Sequence, residues 1–191
     1  MNLKQKLQNI MKLDTYANKM GFSKTSLVLA QNILIDERVR IHCQLNLCGN
    51  YNNNLMCPPF LPSISENRLL LKRYNFALLL QLHQSIPSKT KEEMKETYFT
   101  TALHFNQKLV SLERKAFASG FRLALALGAG ECKLCENCII QEGGNKCRKP
   151  GESRPSMEGM GIDVLQTFQS AGLTMDFKEG ELTVAGLLLI D

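Results

Sequence analysis

The hydrophobic pattern changes period several times along the chain, and each change predicts an element. From residue 3 to about residue 20, apolar residues recur among lysines and asparagines at steps of three and four, which predicts a short amphipathic helix. TSLVLAQNILI, from Thr25 to Ile35, is rich in branched apolar residues and reads as a strand. From His42 to Ser63 the pattern breaks. Five asparagines, one glycine and three prolines predict a loop, and Pro58 and Pro59 hold the chain extended after Cys57. RYNFALLLQLH is an apolar run of strand length. After a break at Pro87, Met94, Tyr98, Thr101, Phe105, Leu109, Leu112 and Ala116 recur at helical spacing, with Lys, Glu and Asn opposite and Gly120 as the stop. FRLALALGAG then reads as a second buried strand.

Strand, long helix and strand in succession form a βαβ unit, so the two strands are expected to be parallel and the crossover right-handed. Beyond it, RPSMEGMGIDVLQTFQSAG predicts a helix starting near Ser156, capped by Ser156 or Asp163, and LTMDF and LTVAGLLLI predict a hairpin around KEGE. The expected fold is α+β, one domain over residues 1–191. It has a mixed β-sheet with a βαβ unit and cysteine-rich metal-binding loops.

Composition narrows the function. At 191 residues, 44% apolar and 21% charged, the chain buries a core without covalent staples. The net charge of +5 is scattered rather than drawn into a basic stripe with aromatics, so no nucleic-acid partner is expected. No apolar run approaches the roughly 20 residues that a membrane span needs, and the N-terminus lacks a secretory h-region. A cytoplasmic protein without a membrane partner is the expectation. In that compartment seven cysteines, an odd number, argue against a disulfide framework and for metal.

GECKLCENCIIQEGGNKCRKP carries Cys132, Cys135, Cys138 and Cys147. Three thiolates at steps of three can reach three different irons of a cubane, as in ferredoxin-type runs. Gly143 and Gly144 let the chain turn back so that Cys147 supplies the fourth. The set therefore suits one closed [4Fe-4S] cluster. The alternative is zinc, which takes four cysteines readily but usually as two separated pairs. Cys43, Cys48 and Cys57 form a second set, with His42 adjacent. Three thiolates would leave one iron of a second cluster open to water or substrate, and the two sets could also mix. Otherwise one or two of these three are ordinary small buried residues.

These residues resemble a known family. GAGECKLCENC, CRKP, RPSMEGMGIDV and the upstream loop ending CPP are similar to domain-of-unknown-function family 2284, a group of predicted metal-binding proteins, over about Val39 to Leu173. The resemblance implies that Cys132, Cys135, Cys138 and Cys147 are metal ligands, and Cys43, Cys48 and Cys57 with them. It implies no reaction. The family's upstream loop carries Tyr-Gly-Lys where this chain has Tyr51-Asn52-Asn53, so no lysine role carries over there.

Arg148, Lys149 and Arg154 flank Cys147. They suit an anion site beside the cluster, with Arg148 and Arg154 as its binding residues, or they neutralise the cluster and pair with nearby glutamates. Ser156 reads as a cap, His83 and His104 as structural histidines, and Met157 and Met160 as packing. No phosphate loop, nucleotide fingerprint, Ser-His-Asp pattern or radical-SAM cysteine spacing is present. Three functions follow: electron transfer to a redox partner protein, an enzyme binding a small-molecule ligand at an open iron, or a structural metal protein. The sequence does not decide whether the chain is an enzyme.

Overall fold

A computed structural model describes residues 1–86, 90–175 and 180–191. Helix α1 (Leu3–Lys19) is capped by the Asn2 side chain, which accepts from the Gln5 N–H. Strand β1 (Lys24–Leu29) follows, then α2 (Glu37–Gln44), α3 (Ile64–Leu71), β2 (Phe76–Ser85), α4 (Lys91–Ala118), β3 (Leu125–Leu127), α5 (Val164–Ser170) and β4 (Glu181–Ile190). The class is α+β. Among the described residues no helix is long and apolar enough to cross a membrane.

The sheet order is β1-β2-β4-β3, and each neighbouring pair is antiparallel. β2 and β3 therefore run in the same direction, as the strand–helix–strand reading requires. They do not pair, because β4 lies between them. The mixed character expected of the sheet is confined to one isolated parallel bridge, Gly128 to Ser156.

β2 and β4 read as continuous apolar runs because both faces of the sheet are covered. Leu78, Leu80, Val184, Leu188 and Ile190 pack on α1 and α4 with Ile10, Leu13, Phe105 and Leu109. Ala77, Leu79, Leu187 and Leu189 pack on the other face with Met157, Met160, Ile162 and Phe168. Helix α4 buries Thr101, Phe105, Leu109, Leu112 and Ala116 as its spacing predicts, while Met94 stays exposed at the first turns.

Four elements differ from expectation. The Thr25–Ile35 strand ends at Leu29, where a 3-10 turn over Ala30–Asn32 takes over. The asparagine-rich loop begins later than expected: α2 runs to Gln44, so His42 and Cys43 are helical, with Asp36 as the cap accepting from the Arg38 N–H. The second buried strand is only Leu125–Leu127, since Phe121 to Ala124 form a turn closed by the Ala124 N–H on the Phe121 carbonyl. The last helix starts at Val164 under an Asp163 cap, not near Ser156. The break at Pro87 and most of the expected LTMDF–KEGE hairpin turn lie outside the described residues. Leu173–Met175 are not in a strand.

Candidate metal centre

Both cysteine segments hang on one scaffold, residues 156–163. The Gly128 N–H donates to the Pro155 carbonyl (2.9 Å) and the Met157 N–H to the Gly128 carbonyl (3.1 Å), which closes the stem of the downstream cysteine loop. On the upstream side, the Asp36 N–H donates to Gly161 (3.0 Å) and the Asp163 N–H to Leu34 (2.8 Å), which fixes the start of α2. Arg40 Nη2 donates to the Gly159 (2.7 Å) and Pro62 (3.0 Å) carbonyls. The glycines of this segment have a steric cause. A Cβ on Gly161, at φ +79°, would lie 2.2 Å from Ile64 Cδ1, and one on Gly159 would lie 2.8 Å from Leu61 Cδ1. Ser156 Oγ accepts from the Gly159 N–H, so this serine is a turn cap. Met157 and Met160 are buried in the core beneath.

Cys132, Cys135, Cys138 and Cys147 all line one cavity of about 460 Å³, closed from the other side by Asn54, Leu55 and Met56 of the upstream loop. All seven cysteines are free thiols. Backbone amides aim at the sulfurs: Lys149 N–H at Cys147 Sγ (3.3 Å) and Leu55 N–H at Cys138 Sγ (3.4 Å). Burial pushes the Cys132 thiol up, and a bond from the backbone N–H of Leu134 acts against it. A thiol of raised pKa gives up its proton when a metal takes its place. Asn54 Nδ2 donates to the Cys132 carbonyl (3.0 Å) and Gln141 Nε2 to the Asn53 carbonyl (2.9 Å), so the two cysteine loops are stitched together.

Cys57 is buried and pushed up to about 12, by burial first and then by the charges of Cys48, Glu131, Cys43 and Cys132. Cys43 is half-buried, 4.0 Å from the Glu158 carbonyl, and raised chiefly by burial. Cys48 is exposed. Among the described residues, no three His, Cys, Asp or Glu side chains converge closely enough to hold a single metal ion.

The sequence gives no sign of a buried cation inside the loop. Lys133 is 6% exposed, with Nζ 2.7 Å from Glu131 Oε1 and over the rings of Tyr98 and Phe99 at 5.3 and 5.6 Å. Asn106 and Glu113, on the face of α4 read as solvated, also act here. Asn106 Oδ1 accepts from the Ala129 N–H (2.9 Å) and its Nδ2 donates to the Ala129 carbonyl (3.1 Å), while Glu113 Oε2 accepts from the Ala126 N–H (2.6 Å). Their only sequence signal is their place one and two turns from buried positions.

Arg148 lines the cysteine cavity and pairs with Glu142. Arg154 is turned to α4, where Glu113 takes both Nε (2.8 Å) and Nη2. Lys149 Nζ donates to the Leu134 carbonyl (3.0 Å). His42 lines a neighbouring cavity, His83 bonds Thr183 Oγ1 (3.0 Å), and His104 is exposed on α4.

One family model matches, that of the predicted metal-binding proteins DUF2284, over residues 26–190. No curated protein and no solved structure matches the chain.

Proposed function

Because the chain belongs to DUF2284, a family of predicted metal-binding proteins, we propose that it is an iron–sulfur protein in which Cys132, Cys135, Cys138 and Cys147 hold one [4Fe-4S] cluster. The observation that carries this reading is the shared cavity: four thiols around about 460 Å³, with backbone N–H groups aimed at two of the sulfurs. N–H···S bonds of this kind help set cluster potentials. The Cys132, Cys135 and Cys138 run, at steps of three, supports a cluster over zinc, which usually takes two separated pairs. A single zinc gathers its sulfurs at about 2.3 Å, whereas a cubane takes each on a different iron. A cluster so bound supplies one-electron chemistry, and four protein thiolates leave it no open position, which suits electron transfer to a redox partner protein. Free thiols throughout suit a reducing, cytoplasmic compartment.

A second reading concerns Cys43, Cys48 and Cys57. The burial of Cys57, in the loop that carries Cys48 and follows Cys43 at the end of α2, favours a three-thiolate second cluster. There the chain would leave one iron for an outside ligand, beside the cavity that His42 and Glu158 line.

Anaerobic purification with iron and acid-labile sulfide analysis and EPR tests both. About four irons with matching sulfide are expected for the downstream cluster alone, and about eight for both. Stoichiometric zinc without iron would overturn the cluster reading.

A further inference from the structure

A cavity of about 890 Å³ lies between the start of α1, the end of β1 and the turn from α3 into β2. Its size is that of a small-molecule site, for which about 300–1,000 Å³ is usual. Much of its wall is apolar, from the buried Ile33 and Leu71 to Leu29, which is left 46% exposed. No cysteine lines it, so it is separate from the metal loops.

The charged side chains of its lining are all cations: Lys6, Arg68 and Lys72. Arg68 is held by Glu37 at 2.7 Å. Lys6 and Lys72 have no ion-pair partner among the described residues. Lys6 is half-buried on α1, one turn before the buried Ile10, and Lys72 is the C-cap of α3, one turn after Arg68. The end of α3 is closed by its own turn: the Leu70 and Leu71 carbonyls accept from the Arg73 (2.9 Å) and Tyr74 (3.1 Å) N–H groups. Gln31 and Asn75, also in the lining, add uncharged donors. A concave surface carrying one sign of charge concentrates ions of the other sign.

We infer that this cavity binds a small carboxylate with an apolar body. The body packs on Leu29, Ile33 and Leu71, and the carboxylate pairs with Lys6 and Lys72. The two lysines come from different elements, so only the folded chain presents them to one ligand. The inference rests on the cavity and is independent of which metal the thiols hold.

Three probes with one body separate the contributions: 4-phenylbutanoate, 4-phenylbutanol and 4-phenylbutylamine, measured by calorimetry on the purified, metal-loaded protein. The acid is expected to bind at least about tenfold tighter than the amine, the alcohol falling between, since two partly exposed ion pairs carry about that much. The double variant Lys6→Gln, Lys72→Gln brings acid and amine within about threefold. Lys95→Gln, which removes an exposed lysine of α4 outside the cavity, leaves the preference unchanged and so separates the site from the net charge. Leu29→Gln weakens the acid and the alcohol alike, and circular dichroism verifies that every variant folds. Equal binding of acid and amine, no binding below about 10 mM, an acid preference that survives the double variant, or an equal loss of preference in Lys95→Gln would each overturn the inference.

Discussion

Lys133 Nζ lies 2.7 Å from Glu131 Oε1, and the lysine side chain is only 2% exposed, inside the loop that carries Cys132 and Cys135. A buried cation one residue from a proposed cluster ligand would stabilise the more anionic, reduced state, and its carboxylate partner would oppose that. Lys133→Met is therefore expected to lower the midpoint potential of the proposed downstream cluster, and Glu131→Gln to raise it. The shifts are on the order of 59 mV for each tenfold change in a one-electron equilibrium. EPR-monitored redox titration checks this. Shifts of the same sign in both variants would show that the pair acts on folding and not on the field at the cluster.

The division of the thiols is open to a direct count. If the second cluster is present, Cys57→Ser is expected to remove about four of eight irons and leave four, as read by iron and sulfide analysis on folded protein. Full retention of iron would exclude Cys57 as a ligand. The same substitution at Cys138 is expected to remove the downstream four.

Asn106 holds the exit of β3 through two bonds to Ala129, just before the cysteine loop. Asn106→Ala leaves a half-buried N–H and carbonyl unpaired, so a loss of roughly 1–3 kcal/mol is expected in urea denaturation. Cluster content at a given iron supply is expected to fall with it. Gly130→Ala acts at the next step. Its φ is +59°, and a Cβ there would lie 2.7 Å from Tyr98 Oη, so loss of stability is expected from strain and contact together.

Asp36 caps α2 and is held at about 2, by the hydrogen bonds from the Arg38 side chain and backbone first. A carboxylate lowered in the folded state contributes stability that is present above its unfolded value, near 3.9, and lost as pH falls through the folded one. The wild type is therefore expected to lose more stability between pH 5 and pH 2 than Asp36→Asn, which retains a capping side chain but cannot titrate. Denaturation curves at both ends of that range decide it.

In the helices, much of this protein is local and was legible in the chain. Helix α4 follows from the recurrence of Phe105, Leu109, Leu112 and Ala116, and its end from Gly120, at φ +100°. The cysteine spacing marks the ligand candidates because backbone reach alone limits which thiols share a metal. Pairing was not legible in this way. The insertion of β4 between β2 and β3 joins residues about a hundred positions apart, and no local periodicity records which strand fills that gap.

Sequence by itself determined the α+β class, the amphipathic helices and the two cysteine sets, since these depend on neighbours within a turn or a loop. Tertiary structure alone decided that residues 156–163 tie both sets together, that Lys133 is buried against Glu131, and that Arg154 pairs with Glu113. It also buried Glu158 Oε2 with no hydrogen-bond partner among the described residues. Burial and charge pairing are properties of what packs around a side chain, and here those neighbours come from distant parts of the chain.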